Sequence, residues 1–216
     1  MIYLISDPHG GHRTAGIEQY LRDSSEGDIC IVLGDLGLNF AEHEHIYKEF
    51  TENFLKTDKK FAFIDGNHEN YEYIYSFPTE KWHGGEVHRL TPNIVHLMRG
   101  YIFDIENKSF FVMGGCRSSN KWKVRGLWYR EEIPTHEEIE RGYKNLEEHG
   151  RKVDYILTHK YFCDEKRDPK EEEMYNLNRF IDDNVEYKLW FSGHFHTNGE
   201  FDEKHKMIFD VPYLIK

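Results

Sequence analysis

Five short blocks of the 216-residue chain carry the residue types that hold metal ions in proteins. They contain carboxylates, imidazoles and one amide. The blocks are Asp7-Pro8-His9, Gly34-Asp35, Gly66-Asn67-His68-Glu69, Thr158-His159 and Gly193-His194-Phe195-His196. Any single block is also typical of a turn after a strand, because Gly, Asn and Asp favour turns. Five such blocks in one chain are better explained by a shared two-metal site that cleaves phosphoesters than by five unrelated turns.

The donor atoms in these blocks suit a pair of divalent cations. The carboxylate, amide and imidazole donors are those of Asp7, Asp35, Asn67, His9, His159, His194 and His196. Mixed oxygen and nitrogen donors without thiolate favour manganese, iron, zinc, cobalt or nickel, and disfavour calcium-only or soft-metal sites. One carboxylate can bridge two metals, and two metals about 3.5–4 Å apart can activate a water and neutralise a phosphoryl group.

Each block follows a short apolar run that predicts a strand buried on both faces. The runs are Ile2 to Ile5, Ile29 to Leu33, Phe61 to Ile64, Tyr155 to Leu157 and Leu189 to Phe191. In open α/β sheets, ligands collect beyond the carboxyl ends of the strands. We therefore expect the five blocks to meet at one rim.

Helical periodicity separates several of these strands. Apolar residues recur at steps of three or four around Phe50, Tyr143 and Phe180. The second of these helices has Thr135 as its predicted N-cap, with Glu138 three residues later. Residues 87–115 and 199–213 read instead as short strands joined by turns. Alternating strands and helices predict an α/β fold in one domain.

The charge balance limits the classes of partner. Lys and Arg total 28 against 39 Asp and Glu, which gives a net charge of -11. Nucleic-acid binding depends largely on Lys and Arg at phosphates, so we do not expect a long nucleic acid as partner. A small phosphorylated substrate remains compatible, because bound cations reverse the local field. The sequence does not predict an oligomeric state.

The three cysteines, Cys30, Cys116 and Cys163, are odd in number and widely spaced, without a CxxC pair. This pattern predicts neither a disulfide framework nor a zinc-thiolate site, but buried or incidental thiols in a reducing compartment. We find neither a basic leader nor a long apolar stretch, and therefore expect no signal peptide and no membrane span. A cytoplasmic location is the resulting expectation.

The order and spacing of the five blocks resemble the motifs of the calcineurin-like metallophosphoesterases, D-x-H, G-D, G-N-H-E/D, H and G-H-x-H. The resemblance spans residues 7–196, and GNHE and GHFH are its most specific parts. It implies one domain over residues 1–216, built as a four-layer α/β/β/α sandwich of two mixed β-sheets flanked by helices. It also implies two divalent metal ions, with manganese expected first and iron, zinc, nickel, cobalt or magnesium as alternatives.

The resemblance implies two ligand sets that share one bridging carboxylate. One ion would be held by Asp7, His9, Asp35 and His196. The other would be held by Asp35, Asn67, His159 and His194. His68 would bind no metal; as an imidazolium it would protonate the leaving alkoxide. A hydroxide held by the two metals would attack the phosphorus in line, so Asp35 and His68 are the expected catalytic residues.

The chain departs from many relatives at one point. Their second block continues G-D-x-x-D, whereas Leu38 occupies the place of the second Asp here. The support usually given to the bridging carboxylate is therefore not predicted from this block. The D-x-H-G form at residues 7–10 is similar to members that act on phosphomonoesters, including protein phosphatases and dinucleotide hydrolases. Residues 66–71, 97–100 and 114–115 look more like a bacterial and phage subgroup.

Three side chains are candidates for substrate contact: Asn67, Arg117 and His12. Arg117 lies in a predicted loop over the site, and His12 follows the first block. The other arginines that could clamp a phosphate are interpreted as surface charges: Arg13, Arg99, Arg125 and Arg130. Three aromatic residues could stack on a leaving group or pack as a lid: Trp122, Trp128 and Tyr129. The acidic run at residues 171–173 is interpreted as the solvated start of a helix.

The sequence thus predicts a metal-dependent hydrolase of a phosphomonoester or phosphodiester, with a phosphatase-like activity among the options, and does not decide between the two ester classes. A nuclease or a cyclic-nucleotide phosphodiesterase is the alternative within the enzymes. A non-catalytic metal-binding scaffold is the alternative from another class. Such a scaffold would be expected to lack metal ligands, and none is missing from the five blocks.

Overall fold

The computed structural model describes residues 1–41, 44–162 and 168–216. The strands found there are β1 Ile2–Ile5, β2 Ile29–Leu33, β3 Lys60–Ile64, β4 Thr79–Trp82, β5 Gly85–Thr91, β6 Ile94–Leu97, β7 Ile102–Ile105, β8 Lys108–Met113, β9 Tyr155–Thr158, β10 Leu189–Ser192, β11 Gly199–Glu200, β12 His205–Met207 and β13 Tyr213–Ile215. The α-helices are α1 Ala15–Asp23, α2 Glu44–Phe54, α3 Tyr71–Tyr75, α4 Asn120–Val124, α5 His136–Glu148 and α6 Glu172–Asn184.

The strands form two mixed sheets. The first sheet has the order β13-β1-β2-β3-β6-β5-β4, and the second has the order β11-β12-β10-β9-β8-β7. In the first sheet β1, β2, β3 and β6 run parallel, while β13, β5 and β4 are antiparallel to their neighbours. In the second, β8, β9, β10 and β12 run parallel. The carboxyl ends of neighbouring parallel strands therefore share one rim in each sheet.

Alternation along the strands divides the core into three apolar layers. In β1, Leu4 joins a cluster between the sheets that also contains Phe110 of β8, whereas Ile5 faces a second cluster. On the other side, Phe111 of β8 packs with Ile139 of α5 in a third cluster. Strands buried on both faces read as continuous apolar runs, as observed. Two sheets with helices outside them confirm the predicted four-layer α/β/β/α sandwich.

The helices show how much of the local structure the sequence encodes. The predicted cap of α5 is confirmed: Thr135 Oγ1 accepts from Glu138 N at 3.3 Å, and Thr135 N donates to Glu138 Oε2 at 2.7 Å. The sequence pattern did not predict α1, whose buried Ile17 and Tyr20 pack against the first sheet. It also did not predict β4. No helix in the described part of the chain is long and apolar enough to cross a membrane.

A buried ion pair secures the end of β3 just before the third block. Arg99 Nε donates to Asp65 Oδ2 at 2.5 Å, and His96 contacts the other carboxylate oxygen. Arg99 also reaches Glu138 Oε2 at 3.1 Å. Burial opposes ionisation of Asp65, but Arg99 and His96 outweigh it and hold the pKa of Asp65 below its usual value. Arg99 is only 2% exposed, so its interpretation as a surface charge is wrong.

Candidate metal centre

The structure brings the five blocks to one place, where the rims of the two sheets meet. The first three blocks follow β1, β2 and β3 of the first sheet, and the last two follow β9 and β10 of the second. One group of possible metal ligands there contains Asp7, His9, Asp35 and His196. A second group contains Cys116, His159 and His194. In each group, the ligand atoms lie within 4.8 Å of one another.

The first group surrounds a buried carboxylate. His196 Nε2 lies 2.9 Å from His9 Nε2 and 3.2 Å from Asp7 Oδ1. Asp7 is completely buried, and its Oδ1 atom has no hydrogen-bond partner within the described residues. A buried carboxylate oxygen without a donor is costly unless a cation neutralises it. This oxygen, facing two imidazoles, therefore fits a metal ligand.

The second group is arranged around the amide of Asn67. Asn67 Oδ1 lies 3.2 Å from His159 Nε2 and 3.1 Å from His194 Nδ1. Asn67 Nδ2 donates to Ser118 Oγ at 2.9 Å, which directs Oδ1 toward the histidines. His159 Nδ1 lies 2.8 Å from the carbonyl oxygen of Leu33 and donates to it, which directs Nε2 of the ring toward Asn67. The amide oxygen and the two imidazole nitrogens thus converge at spacings that suit ligands of a shared cation.

Asp35 lies between the two groups. Its Oδ2 atom is 3.7 Å from His9 Nε2, and its Oδ1 atom is 3.5 Å from His159 Nε2. Burial alone would raise the pKa of Asp35, but His159, His68 and the hydrogen bond from His68 N outweigh this effect and lower it. The carboxylate is therefore ionised and presents one oxygen to each group.

The histidines differ in their electrostatic environment. Burial lowers the pKa of His194 to about 3, and burial also lowers the pKa of His9. Both rings are therefore neutral near pH 7 and have a nitrogen lone pair available for a metal. The nearby Asp7 carboxylate instead raises the pKa of His196. Asp35 and two neutral rings give the oxygen and nitrogen donor set expected for a transition metal.

The backbone of the site is held in an uncommon conformation. Five site residues have left-handed φ angles, namely Asp7 at 56°, His9 at 47°, Asp35 at 52°, His194 at 69° and His196 at 50°. Such conformations cost about 1–3 kcal/mol each and persist where the surrounding structure enforces them. The strained turns direct the side chains of all five residues toward the rim.

Two motif glycines are explained by close approach of neighbouring side chains. A Cβ atom on Gly66 would collide with Asp35 Oδ1, and one on Gly193 would collide with Ser6 Oγ. Any side chain at these positions would displace the carboxylates of the site. The glycines of the GNHE and GHFH blocks are therefore required by the packing of the site itself.

His68 lies above the first group without joining it. Its ring centroid is 5.4 Å from that of His9 and 4.4 Å from that of Trp122, and its ring is half-buried. Its backbone N donates to Asp35 Oδ1 at 2.7 Å, which fixes the residue relative to the bridging carboxylate. The imidazole faces the cavity that leads to both groups.

This cavity has a volume of about 510 Å³, within the range of small-molecule sites. Its lining residues are Asp35, Asn67, His68, Arg117, Ser118, Ser119, Trp122, Lys160, Asp168, Glu171, His194 and His196. Arg117 lies in the cavity wall, and its role as a substrate contact stays a prediction. His12 does not line the cavity; its exposed side chain packs 5.5 Å from the Tyr47 ring. The described structure therefore does not support His12 as a substrate contact.

A buried acid, Glu171, holds Lys160 and the Arg117 backbone in the wall of the cavity. Glu171 is 3% exposed, whereas Glu172 and Glu173 are exposed, so the solvated helix start predicted for residues 171–173 is wrong only for Glu171. Its carboxylate accepts from Arg117 N at 2.6 Å and from Lys160 Nζ at 3.0 Å. Arg117 Nη1 donates to Asp168 Oδ2 at 2.8 Å. Lys160 was not predicted from the sequence, although it directly follows the ligand His159.

Glu69 holds the turn after Asp35, a role that the apolar side chain of Leu38 cannot fill. The two Glu69 oxygens accept from Leu36 N and Gly37 N at 2.9 Å each, directly after Asp35. Burial, with a contribution from the Asp35 charge, raises the pKa of Glu69 well above its usual value. Leu38 is instead fully buried in the core between the first sheet and its helices. The turn that carries the Asp35 carboxylate is thus held by an acid from the third block.

Two of the three cysteines, Cys30 and Cys116, lie in the described part of the chain. Cys30 is buried inside β2, as expected. Cys116 is also buried, but its Sγ atom lies 3.1 Å from Asn67 Oδ1. Both cysteines agree with the prediction of buried thiols, and Cys116 lies beside a candidate metal ligand. Cys163 lies outside the described residues.

We expect Glu69→Gln to lower the affinity for Mn²⁺ by about 10- to 100-fold, because an amide cannot accept from both backbone donors that position the Asp35 turn. Isothermal titration of the metal-free protein measures this change. Glu72→Gln, at an exposed position of α3, is the matched control and should bind as the wild type does. Wild-type affinity in a folded Glu69→Gln protein would contradict the role of Glu69.

The comparison with protein families agrees with the geometry. The profile of the calcineurin-like phosphoesterases matches residues 1–198, which contain all five blocks. The comparison with curated proteins finds no match. Membership implies metal-dependent phosphoester hydrolysis, and the two ligand groups are consistent with it. The chain belongs to the calcineurin-like phosphoesterase family.

Proposed function

We propose that this protein hydrolyses a phosphoester at a dinuclear metal centre. The first ion is held by Asp7, His9, Asp35 and His196. The second ion is held by Asp35, Asn67, His159 and His194. The observation that carries the proposal is the position of Asp35, whose two oxygens lie 3.7 Å and 3.5 Å from histidines of opposite groups. Manganese is our proposed metal at the first position.

The chain's own groups divide the remaining tasks. When bound, the cations supply the positive charge that activates water and polarises the phosphoryl group. His68, above the site and beside Trp122, donates a proton from its ring to the departing oxygen. Lys160 and Arg117, paired with Glu171 and Asp168, line one wall of the cavity and would contact the substrate phosphate beside the cations. The substrate is a small phosphate ester, with a phosphomonoester preferred.

We propose that residues 1–216 form one domain. The family match ends at residue 198, but β13 near the end of the chain pairs antiparallel with β1. This strand completes one edge of the first sheet, next to the strand that precedes Asp7. The predicted cytoplasmic location stays a prediction.

We expect Asp7→Asn to lower turnover of p-nitrophenyl phosphate by about 1000-fold, because loss of cation stabilisation at the first position removes several kcal/mol from the transition state. His196→Ala should act in the same direction. Asp58→Asn, at an exposed position, is the charge-matched control. Wild-type turnover in both site variants, with Mn²⁺ present, would exclude the proposed centre.

His68→Ala tests the proton donor. Turnover of an alkyl phosphate should fall by about 100-fold or more, whereas turnover of p-nitrophenyl phosphate should fall much less, because nitrophenolate departs without protonation. The ratio of the two rates, measured for wild type and variant, isolates this effect from changes in metal content. Equal losses for both substrates would assign His68 a different role.

A second candidate function, phosphodiester hydrolysis in short single-stranded nucleic acid, is favoured by one surface. Residues 117–130, here called the basic arm, contain five Lys or Arg and no Asp or Glu, despite the chain's net charge of -11. Arg125 lies 4.8 Å from the Trp122 ring, and Lys123 lies 4.9 Å from the Trp128 ring. Cations interleaved with aromatic rings bind single strands through phosphate contacts and base stacking. Trp122 also lines the cavity.

This candidate is tested by binding of a fluorescent oligothymidylate across a series of salt concentrations. Lys121→Gln with Lys123→Gln should reduce the slope of log K against log salt by about 1.4, since each phosphate contact contributes about 0.7. Lys56→Gln with Lys81→Gln changes the same charge at exposed sites outside the arm and should preserve the slope. An equal slope in the arm variant would leave the monoesterase as the better hypothesis.

A further inference from the structure

Cys116 lies among the donors of the second metal position. Its side chain is 1% exposed, and its Sγ atom is 3.1 Å from Asn67 Oδ1 and 3.5 Å from His194 Nδ1. The Cys116, His159 and His194 ligand atoms lie within 4.8 Å of one another. The thiol is therefore one member of a converging set of donors.

The backbone holds this thiol in place from both sides. Immediately before it, Gly115 N donates to Asp65 O at 2.8 Å, which ties the loop to the end of β3. Immediately after it, Arg117 N donates to the buried Glu171, and Ser118 N donates to Glu132 Oε2 at 2.8 Å. The position of Cys116 is thus set by the same strand end that carries Asn67.

The spacing of the donors fits a shared ion. Metal–sulfur bonds of about 2.3 Å and metal–nitrogen bonds of about 2.0–2.1 Å place neighbouring ligand atoms about 3–3.7 Å apart. The distances from Asn67 Oδ1 to Cys116 Sγ, His159 Nε2 and His194 Nδ1 are 3.1, 3.2 and 3.1 Å. The 3.1 Å distance from Cys116 Sγ to Asn67 Oδ1 is also that of a hydrogen bond donated by the thiol, which a metal–sulfur bond would replace.

We propose that Cys116 binds the second metal ion as a thiolate, together with Asn67, His159 and His194. This inference rests on the proposed dinuclear centre. On binding, the thiol releases its proton to solvent as the sulfur–metal bond forms. Thiolate is a soft ligand that favours zinc or iron over manganese or magnesium. The centre is then asymmetric, with a softer second position beside a first position of oxygen and nitrogen donors.

Cobalt substitution tests this directly, because a cobalt–thiolate bond produces a charge-transfer band in the near ultraviolet. Wild-type protein reconstituted with Co²⁺ should show the band, and Cys116→Ser and Cys116→Ala should lack it. Cys30→Ser removes a buried thiol of β2 and should retain the band. The proposal is overturned if the band persists in folded Cys116 variants. It is also overturned if wild-type protein binds cobalt without showing the band.

Two further measurements separate this proposal from the dinuclear centre. Cobalt X-ray absorption of the wild type should show a sulfur neighbour at about 2.3 Å, without recourse to a variant. Cys116→Ser should weaken Zn²⁺ binding by about 10-fold or more and Mn²⁺ binding much less. Two cobalt ions per chain without a sulfur neighbour overturn only the thiolate. One cobalt ion with a sulfur neighbour supports the thiolate and contradicts the dinuclear centre.

Discussion

The burial of two carboxylates at the junction of the sheets is the constraint on which the site depends. Asp7 and Asp35 are 0% and 1% exposed, and burial by itself raises the pKa of each. Neighbouring histidines reverse that effect and keep both groups ionised. Because burial also favours the neutral form of His9 and His194, these rings do not supply the full counter-charge. In the proposed centre, divalent cations would supply it.

Holding these charges in place requires both sheets. Asp7 and Asp35 extend from the first sheet, whereas His159 and His194 extend from the second. The apolar layer between the sheets therefore sets the distance between the two halves of the centre. Strained turns at the strand ends add precision, because their left-handed φ angles are enforced by the surrounding packing. A rigid scaffold of this kind suits electrostatic stabilisation of a phosphoryl group.

The sequence predicted the fold class and the convergence of the blocks because both depend on local patterns. Apolar runs ending in polar residues mark strand ends, and Thr135 with Glu138 marks the start of a helix. The errors occurred where a distant partner decided the environment. Arg99 and Glu171 resemble surface charges in sequence, yet each is buried against partners far along the chain. Local composition carries no signal for such pairing.

The sequence by itself determined which metal-ligand residues are available and which strand each of them follows. Both are local properties, because the motifs and the apolar runs are read from neighbouring residues. Only the tertiary structure decided which atoms face each other. It placed Glu69 behind the Asp35 turn in place of an acid at Leu38, and it placed the Cys116 thiol beside Asn67. These contacts depend on loops from different strands packing at one rim, and the distances between such loops are set by the core rather than by neighbours in sequence.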